Sequence, residues 1–331
     1  MDNERNTATT RSKWRVERYA PCWKKAWDEL VDRSKNGTFL LRRDYMDYHA
    51  DRFADCSLLL LHGGKLLAAL PGNVCEGHFY SHQGLTYGGL LMSPAITYAQ
   101  VAEALALAFD YLRGECGVAR VTYKAIPYIY HRYPAEEDLY VLHRMGARLA
   151  ERSIASAAPV ADLLPLCRLR RRRLKAAAEA GFSIVEDEDF AAFWPVLEAN
   201  LMERHGARPV HTLDEIARLH RAFPEQIRLF RVCLDGRTEA GCVMYLTDCV
   251  AHAQYSSATP FGKEHGAMDL LYRHLSAERY PDKRYFDFGI STEQGGRVLN
   301  DGLLAFKEGF GTRAVMYDVY ELELPGQPQN H

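Results

Sequence analysis

Much that would narrow the function of this chain is missing from it. No apolar run approaches the roughly 20 residues a membrane helix needs; the longest leucine run is Leu58–Leu61. Met1 to Lys13 are polar, with no apolar core, so no secretory signal is read there. The eight cysteines are scattered, without a Cys-x-x-Cys pair. That spacing gives no zinc knuckle or disulfide framework, and several cysteines sit in strand-like runs where a free thiol acts as a small hydrophobe. A cytoplasmic location is the expectation. The formal net charge is only -2, which provides no overall field toward DNA or an anionic membrane.

Several site patterns are absent as well. There is no Gly-x-Ser-x-Gly elbow. His78 and His82 have the i, i+4 spacing of a zinc helix, but no glutamate lies between them and the run reads as strand or loop, so no metal site is expected. Gly309-x-Gly311-x-x-Ala314 matches a dinucleotide fingerprint as text, yet it follows a helix and precedes a strand, the reverse of the required context.

What remains is a chain of 331 residues with 47% hydrophobic and 25% charged residues, enough for two globular domains with real cores. Two hairpins stand out. Asp55 to Leu70 reads as strand, His62-Gly63-Gly64 turn, strand, and Gln226 to Leu246 reads the same way around Asp235-Gly236. Both turns supply residues that tolerate positive φ. More strand-like sequence and a helix follow each hairpin. In the first half Thr97 and Gln100 form a capping box that opens a helix from Tyr98 to Arg113, with Gly114 as the stop. In the second, Gly266 precedes a helix from Ala267 to Glu278. Then come a buried-looking strand (Ala119 to Ala125; Arg284 to Ile290), a helix (Glu136 to Met145; Gly302 to Gly309) and a last strand.

Anchors recur at nearly constant spacing. Met145-Gly146-Ala147-Arg148 matches Phe310-Gly311-Thr312-Arg313, and Trp23 and Trp27 match Phe190 and Trp194. The chain therefore reads as one unit used twice. The expected organisation is an N-terminal domain over 1–158, a C-terminal domain over 159–325 and a polar tail over 326–331. Thr212-x-x-Glu215 opens an extra helix in the second half. Each half is an α/β (α+β) unit, a mixed and largely antiparallel sheet flanked by helices.

That order of elements resembles the GNAT acyltransferase fold. Asp287-Phe288-Gly289-Ile290, then Gly302-Leu303-Leu304-Ala305-Phe306-Lys307, then Gly309-Phe310-Gly311, resembles the end of the Fem-type aminoacyltransferases. These are tandem GNAT proteins that move an aminoacyl group from tRNA to an amine of a peptidoglycan precursor. Tyr80-Ser81-His82-Gln83 to Tyr87-Gly88-Gly89, and Arg170 to Ala178, are similar to the same wider group of tandem acetyltransferase-like proteins. The long helical hairpin of some Fem-type members is absent. The resemblance implies that Lys307 stabilises negative charge developing beside the reacting carbonyl, with Phe306 next to it.

Acyl transfer to an amine needs a base for the amine, donors for the oxyanion and stabilisation of the leaving group. His252 is eligible as the base. As a regular strand, Asp248 to Ser257 would put His252, Gln254 and Ser256 on one face, and Ala251, Ala253 and Tyr255 on the other. Tyr255 is a candidate relay or clamp. Asp287 could orient an amine, and Tyr128 and Arg313 are candidate substrate contacts. The coenzyme A turn of the GNAT fold maps onto Lys263-Glu264-His265-Gly266-Ala267-Met268, which makes Lys263, Gly266 and Ala267 the expected donor-binding residues, although Met268 replaces a small residue.

The basic run Arg168-Leu169-Arg170-Arg171-Arg172-Arg173-Leu174-Lys175 reads either as a solvated helix face or as a seat for a phosphate-rich partner. The first expectation is an N-acyltransferase using acetyl-CoA or another acyl-CoA on an amine of a small molecule or envelope precursor. The alternatives are a Fem-type enzyme using aminoacyl-tRNA, a non-catalytic binding module, and an RNA-binding role for the basic run.

Overall fold

The computed structural model of the protein describes residues 13–324, so the polar tail expected over 326–331 lies outside the described residues. In the first half, β1 (Trp14–Arg18) leads through α1 (Lys24–Arg33) and the short α2 (Arg43–Met46) to the hairpin of β2 (Leu58–His62) and β3 (Lys65–Leu70). A small second hairpin, β4 (Asn73–Cys75) and β5 (His78–Tyr80), precedes β6 (Leu91–Met92) and α3 (Tyr98–Cys116). Then follow β7 (Arg120–Lys124), α4 (Glu137–Arg144) and β8 (Arg148–Pro159).

The second half repeats this order with different insertions. It opens with α5 (Arg168–Glu179), β9 (Ser183–Asp187), α6 (Phe190–His205) and α7 (Leu213–Ala222). Next come β10 (Ile227–Leu234), β11 (Arg237–Leu246), β12 (Val250–Ala258), α8 (Pro260–His265) and α9 (Ala267–His274). The half closes with β13 (Tyr285–Ile290), the hairpin β14 (Thr292–Glu293) and β15 (Val298–Leu299), α10 (Asp301–Glu308) and β16 (Arg313–Glu323).

Local chemistry explains most of these boundaries. Gly63 and Gly64 have φ of 57° and 81°, and Asp235 and Gly236 have 48° and 77°, the left-handed pair a tight hairpin requires. The Thr97–Gln100 capping box forms as expected. Its helix, however, runs past Gly114 to Cys116 and stops at Gly117, where φ is 64°. Gly117 can take that conformation while Val118 donates its N–H to the Leu112 carbonyl and enters the core, a seal that Gly114 does not offer. Thr97→Ala removes the box and should cost about 1 kcal/mol, read as a lower urea midpoint with an unchanged slope.

The leucine run that is too short for a bilayer is a strand buried on both faces. Leu58 and Leu60 pack into one core with α3, and Leu59 and Leu61 into another with α1. The latter core joins the two halves: it holds Trp27, Phe39 and Tyr45 together with Trp194, Phe223 and Tyr245. The rings of Phe39 and Phe223 lie 5.4 Å apart. A third core lies under α9, against β10 to β13.

The sheets do not divide as the chain does. Four strands form one sheet in the order β1-β2-β3-β6, and ten form another in the order β4-β5-β7-β16-β8-β13-β12-β11-β10-β9. The last strand of each half has changed places. Strand β16, from the end of the chain, inserts between β7 and β8 of the first half, while β8 lies against β13 of the second. Each half thus completes the other's sheet.

Two irregularities shape the site. Strands β12 and β13 run parallel but pair only from Val250 to His252 and from Tyr285 to Asp287, beyond which they diverge. On its other edge, β12 pairs Tyr255 with Val243 and Ala253 with Met244, so Gln254 is an extra residue and forms a bulge. The bulge inverts the strict alternation expected for this strand. Ala251 and Ala253 face the core under α9, but Tyr255 turns to the opposite side, against Trp194 and the core shared by the halves. Among the described residues, no helix is long and apolar enough to cross a membrane.

Candidate active site

The divergence of β12 and β13 opens a cleft of about 1080 Å³. At the point where the strands part, His252 of β12 is in register with Asp287 of β13. The Nδ1 of His252 lies 2.8 Å from Oδ2 of Asp287. Asp287 is wholly buried, and its carboxylate is fully engaged. Oδ2 also accepts from the hydroxyls of Tyr130 at 2.9 Å and Tyr317 at 2.7 Å, and Oδ1 accepts the N–H of Gly289 at 2.8 Å.

Burial alone would raise the Asp287 carboxyl. The charge of His252 and the hydrogen bonds from His252, Tyr317 and Gly289 outweigh it and hold the group below the usual carboxylate range. With Nδ1 committed to Asp287, Nε2 is the imidazole nitrogen left to exchange a proton. His252 itself lines the cleft.

Lys307 comes to the same cleft from α10, where Asn300 caps the helix by accepting the N–H of Leu303. Its ammonium donates to the carbonyls of Gly289 at 2.9 Å and Ile290 at 2.6 Å, two of the three donors it has. Burial pushes its pKa down to about 8, with the charge of Asp287 pulling the other way. Gly289 has φ of 72°, and a Cβ there would lie 3.2 Å from Cε1 of His252, so the backbone passes close against the imidazole.

The far end of the cleft lies between α5, α8 and α9 and is lined by Arg170, Arg173, Asn200, Lys263 and Asp269. Arg170 donates to Asp269 at 2.7 Å, and its guanidinium stacks 4.7 Å over the ring of Phe306. Asp269 sits in the first turn of α9, the position where a helix would otherwise receive a ligand anion. Its carboxyl is raised by burial, against the pull of Arg170 and Arg173. The wall opposite belongs to the first half, through Lys124, Glu151 and Ser153.

Residues 167–298 match the family profile described as Acetyltransferase (GNAT) domain. The structure as a whole is similar to a solved structure of FemX, with a TM-score of 0.64 over 94% of this chain and 97% of that one, at 12% identity. The chain has a tandem GNAT fold. L-PGS from Bacillus licheniformis shares it, with a TM-score of 0.60 over 94% of this chain and 95% of that one, at 12% identity. So does a tandem GNAT protein from the clavulanic acid biosynthesis pathway, with a TM-score of 0.50 over 95% of this chain and 100% of that one, at 13% identity. No curated protein sequence matches the chain.

Within this tandem GNAT fold the expected residues fare differently. His252, Lys307, Phe306, Tyr255 and Lys263 all line the cleft. The hydroxyl of Tyr255 is paired with Nδ1 of His211, and burial pushes it up to about 12. Lys263 donates to Asn200 at 2.6 Å. Asp287, expected to contact an amine, is instead wholly buried among His252, Tyr130, Tyr317 and the Gly289 N–H and does not line the cleft.

Gly266 and Ala267 are not among the residues lining the cleft. A Cβ on Gly266 would lie 2.6 Å from the Arg173 carbonyl, because α5 packs over that turn, and Ala267 is buried in the core. Tyr128 is 52% exposed and meets Tyr285 outside the cleft. Arg313 is exposed at the start of β16, bonded to the carbonyl of Thr312, and does not line the cleft.

Tyr130, Tyr317 and Asp269 escaped the sequence reading. The tyrosine-rich stretch from Tyr128 to Tyr133 was the available signal for the first, although it did not say which ring turns inward.

Proposed function

We propose that the protein forms an amide by transferring an acyl group to an amine in the cleft between β12 and β13. The observation that carries this is the His252–Asp287 pair where the strands diverge. Nε2 of His252 takes a proton from the attacking amine as the nitrogen–carbon bond forms, and Asp287 supports the imidazolium. The oxyanion of the tetrahedral intermediate develops near Lys307, whose third donor remains available. Collapse breaks the bond from carbonyl carbon to the leaving oxygen or sulfur, and the proton held by His252 passes to the leaving group.

The donor is the finer part of the proposal. A coenzyme A pyrophosphate bound at the start of α9 would meet the Asp269 carboxylate and a glycine already covered by α5. Arg170 is neutralised by Asp269, and of the other cations at that end Arg173 is bonded to the Glu264 carbonyl and Lys263 to Asn200. The exposed face of α5, the helix whose Arg170 and Arg173 line the cleft, carries Arg168, Arg171, Arg172 and Lys175, a basic strip that favours a polyanionic carrier approaching from outside. We therefore rank an aminoacyl ester carried on tRNA ahead of acyl-CoA, the reverse of the order the sequence alone favoured. Fem-type resemblance in the Phe306–Lys307 tail supports the same ranking.

The test offers the protein acetyl-CoA and, separately, a mixture of charged tRNAs, each with a panel of primary amines, and follows products by mass spectrometry. Amide formation with charged tRNA and none with acetyl-CoA is the expected result. Transfer from acetyl-CoA alone would overturn the donor ranking, and transfer from neither donor to any amine would count against the amide reading.

A further inference from the structure

The Asp287 carboxylate is the meeting point of three separate parts of the chain. His252 and Asp287 belong to neighbouring strands of the second half. Tyr317 reaches in from β16, which is built into the first half's sheet, and Tyr130 comes from the first half, in the turn that precedes α4. Both phenols are buried, their oxygens lie 2.9 Å from one another, and each reaches the same carboxylate oxygen that His252 uses. Tyr130 is held in turn by the ring of Tyr87 at 4.9 Å, whose own hydroxyl donates to Thr38 at 3.1 Å.

We propose that Tyr130 and Tyr317 are positioning residues that keep Asp287 ionised and fix the imidazole of His252 with its proton on Nδ1. The inference rests on the reading of His252 as the base. Its physical basis is that a carboxylate in an apolar interior becomes neutral unless donors stabilise its charge. If Asp287 took up a proton, it would lose its hold on the Nδ1 proton, and the imidazole could turn Nε2–H to the cleft as a donor. That would leave no base. Two phenols prevent this without placing a second positive charge beside His252, as an arginine would.

Other titratable groups also face this network. They are Lys307 from α10, Tyr87 from the first half and Tyr245 on β11, in register with His252. Lys307 bonds to main-chain carbonyls and not to Asp287, so it cannot replace the phenols as a donor to that carboxylate.

The arrangement also gives the duplicated architecture a chemical role. The second half supplies the acid–base pair, while the first half and the exchanged strand supply the donors that keep the pair in its working state.

The experiment uses the full chain with labelled histidine and aspartate. Nitrogen-15 shifts report the His252 tautomer, and the carbon-13 shift of the Asp287 carboxyl, assigned with Asp287→Asn, reports its titration. Tyr317→Phe and Tyr130→Phe should each raise the Asp287 midpoint by about one pH unit, since one hydrogen bond to a charged group is at stake. Each should also increase the share of imidazole protonated on Nε2. Tyr87→Phe, which keeps the ring against Tyr130 and removes only the bond to Thr38, should move both signals much less than either of the other variants.

Unchanged Asp287 and His252 signals in both folded variants would overturn the proposal. If a variant does not fold, the wild-type protein still decides the matter, because the proposal requires two slowly exchanging, downfield phenolic protons coupled to Tyr130 and Tyr317. Their absence would count against it. None of these readouts needs turnover, so a failure of His252 as the base would show separately, as activity retained in His252→Ala.

Discussion

Replacing His252 with alanine should lower kcat/KM by about a thousandfold, the range general base catalysis ordinarily supplies. Asp287→Asn should lose at least as much for a different reason. An asparagine amide can donate to Nδ1, which would send the imidazole proton to Nε2 and present a donor to the amine where an acceptor is needed. Both variants should fold, because His252 is at the cleft edge and asparagine keeps the volume of the buried side chain. The check is transfer rate by mass spectrometry alongside a thermal melt. Retention of activity within threefold of wild type in His252→Ala would remove this residue from the mechanism.

Lys307→Met is the second large effect, and it should appear twice. If the ammonium meets the developing oxyanion, the rate should fall by about a hundredfold. Stability should also lose a specific pH dependence. The Lys307 pKa is about 8 in the folded protein against 10.5 for an ordinary lysine. Below about pH 8 both folded and unfolded chains carry the proton, and the folded state bears the full cost of burying it. Between pH 8 and 10.5 the unfolded chain holds a proton that the folded chain has released, so stability rises with pH across that window. The change should amount to about 3 kcal/mol. Urea melts at neutral pH and near pH 10.5 should therefore show wild type gaining on the variant by about that amount. Parallel behaviour of the two proteins would mean that burial does not depress the Lys307 pKa in the folded protein.

How much of this could be read from the chain depends on how local each feature is. The hairpins were legible because Gly63-Gly64 and Asp235-Gly236 leave little choice of turn. The Thr97–Gln100 box was legible because both partners sit within four residues. The helix stop was misplaced at Gly114 because two glycines compete there, and only tertiary packing of Val118 selects Gly117. Family resemblance singled out the Phe306–Lys307 segment, which lines the same cleft as His252, whereas the strand pattern around His252 was only half correct. A bulge at Gln254 depends on the partner strand, so alternation put Tyr255 on the wrong face. Asp287 appeared in sequence as a polar residue in a buried-looking strand and a candidate to orient an amine. That its partners would be His252, Tyr130 and Tyr317 depends on pairing across distances of 30 to more than 150 residues. Side-chain period fixes which face a residue shows, and says nothing about which strand comes to lie alongside.

The exchange of β8 and β16 has a consequence for how the protein is made. As the chain leaves the ribosome, β7 and β8 emerge long before the strand that must lie between them. At ordinary rates of about 5–20 residues per second, synthesis from the end of β8 at Pro159 to the end of β16 at Glu323 takes roughly ten to thirty seconds. Throughout that interval the first half carries an unfilled slot with exposed strand edges, the kind of surface that recruits stray strands. Completion of the first sheet, and delivery of Tyr317 to Asp287, must await the synthesis of β16. A first half expressed alone would keep that slot open, and a second half expressed alone would have a long strand with no sheet to enter.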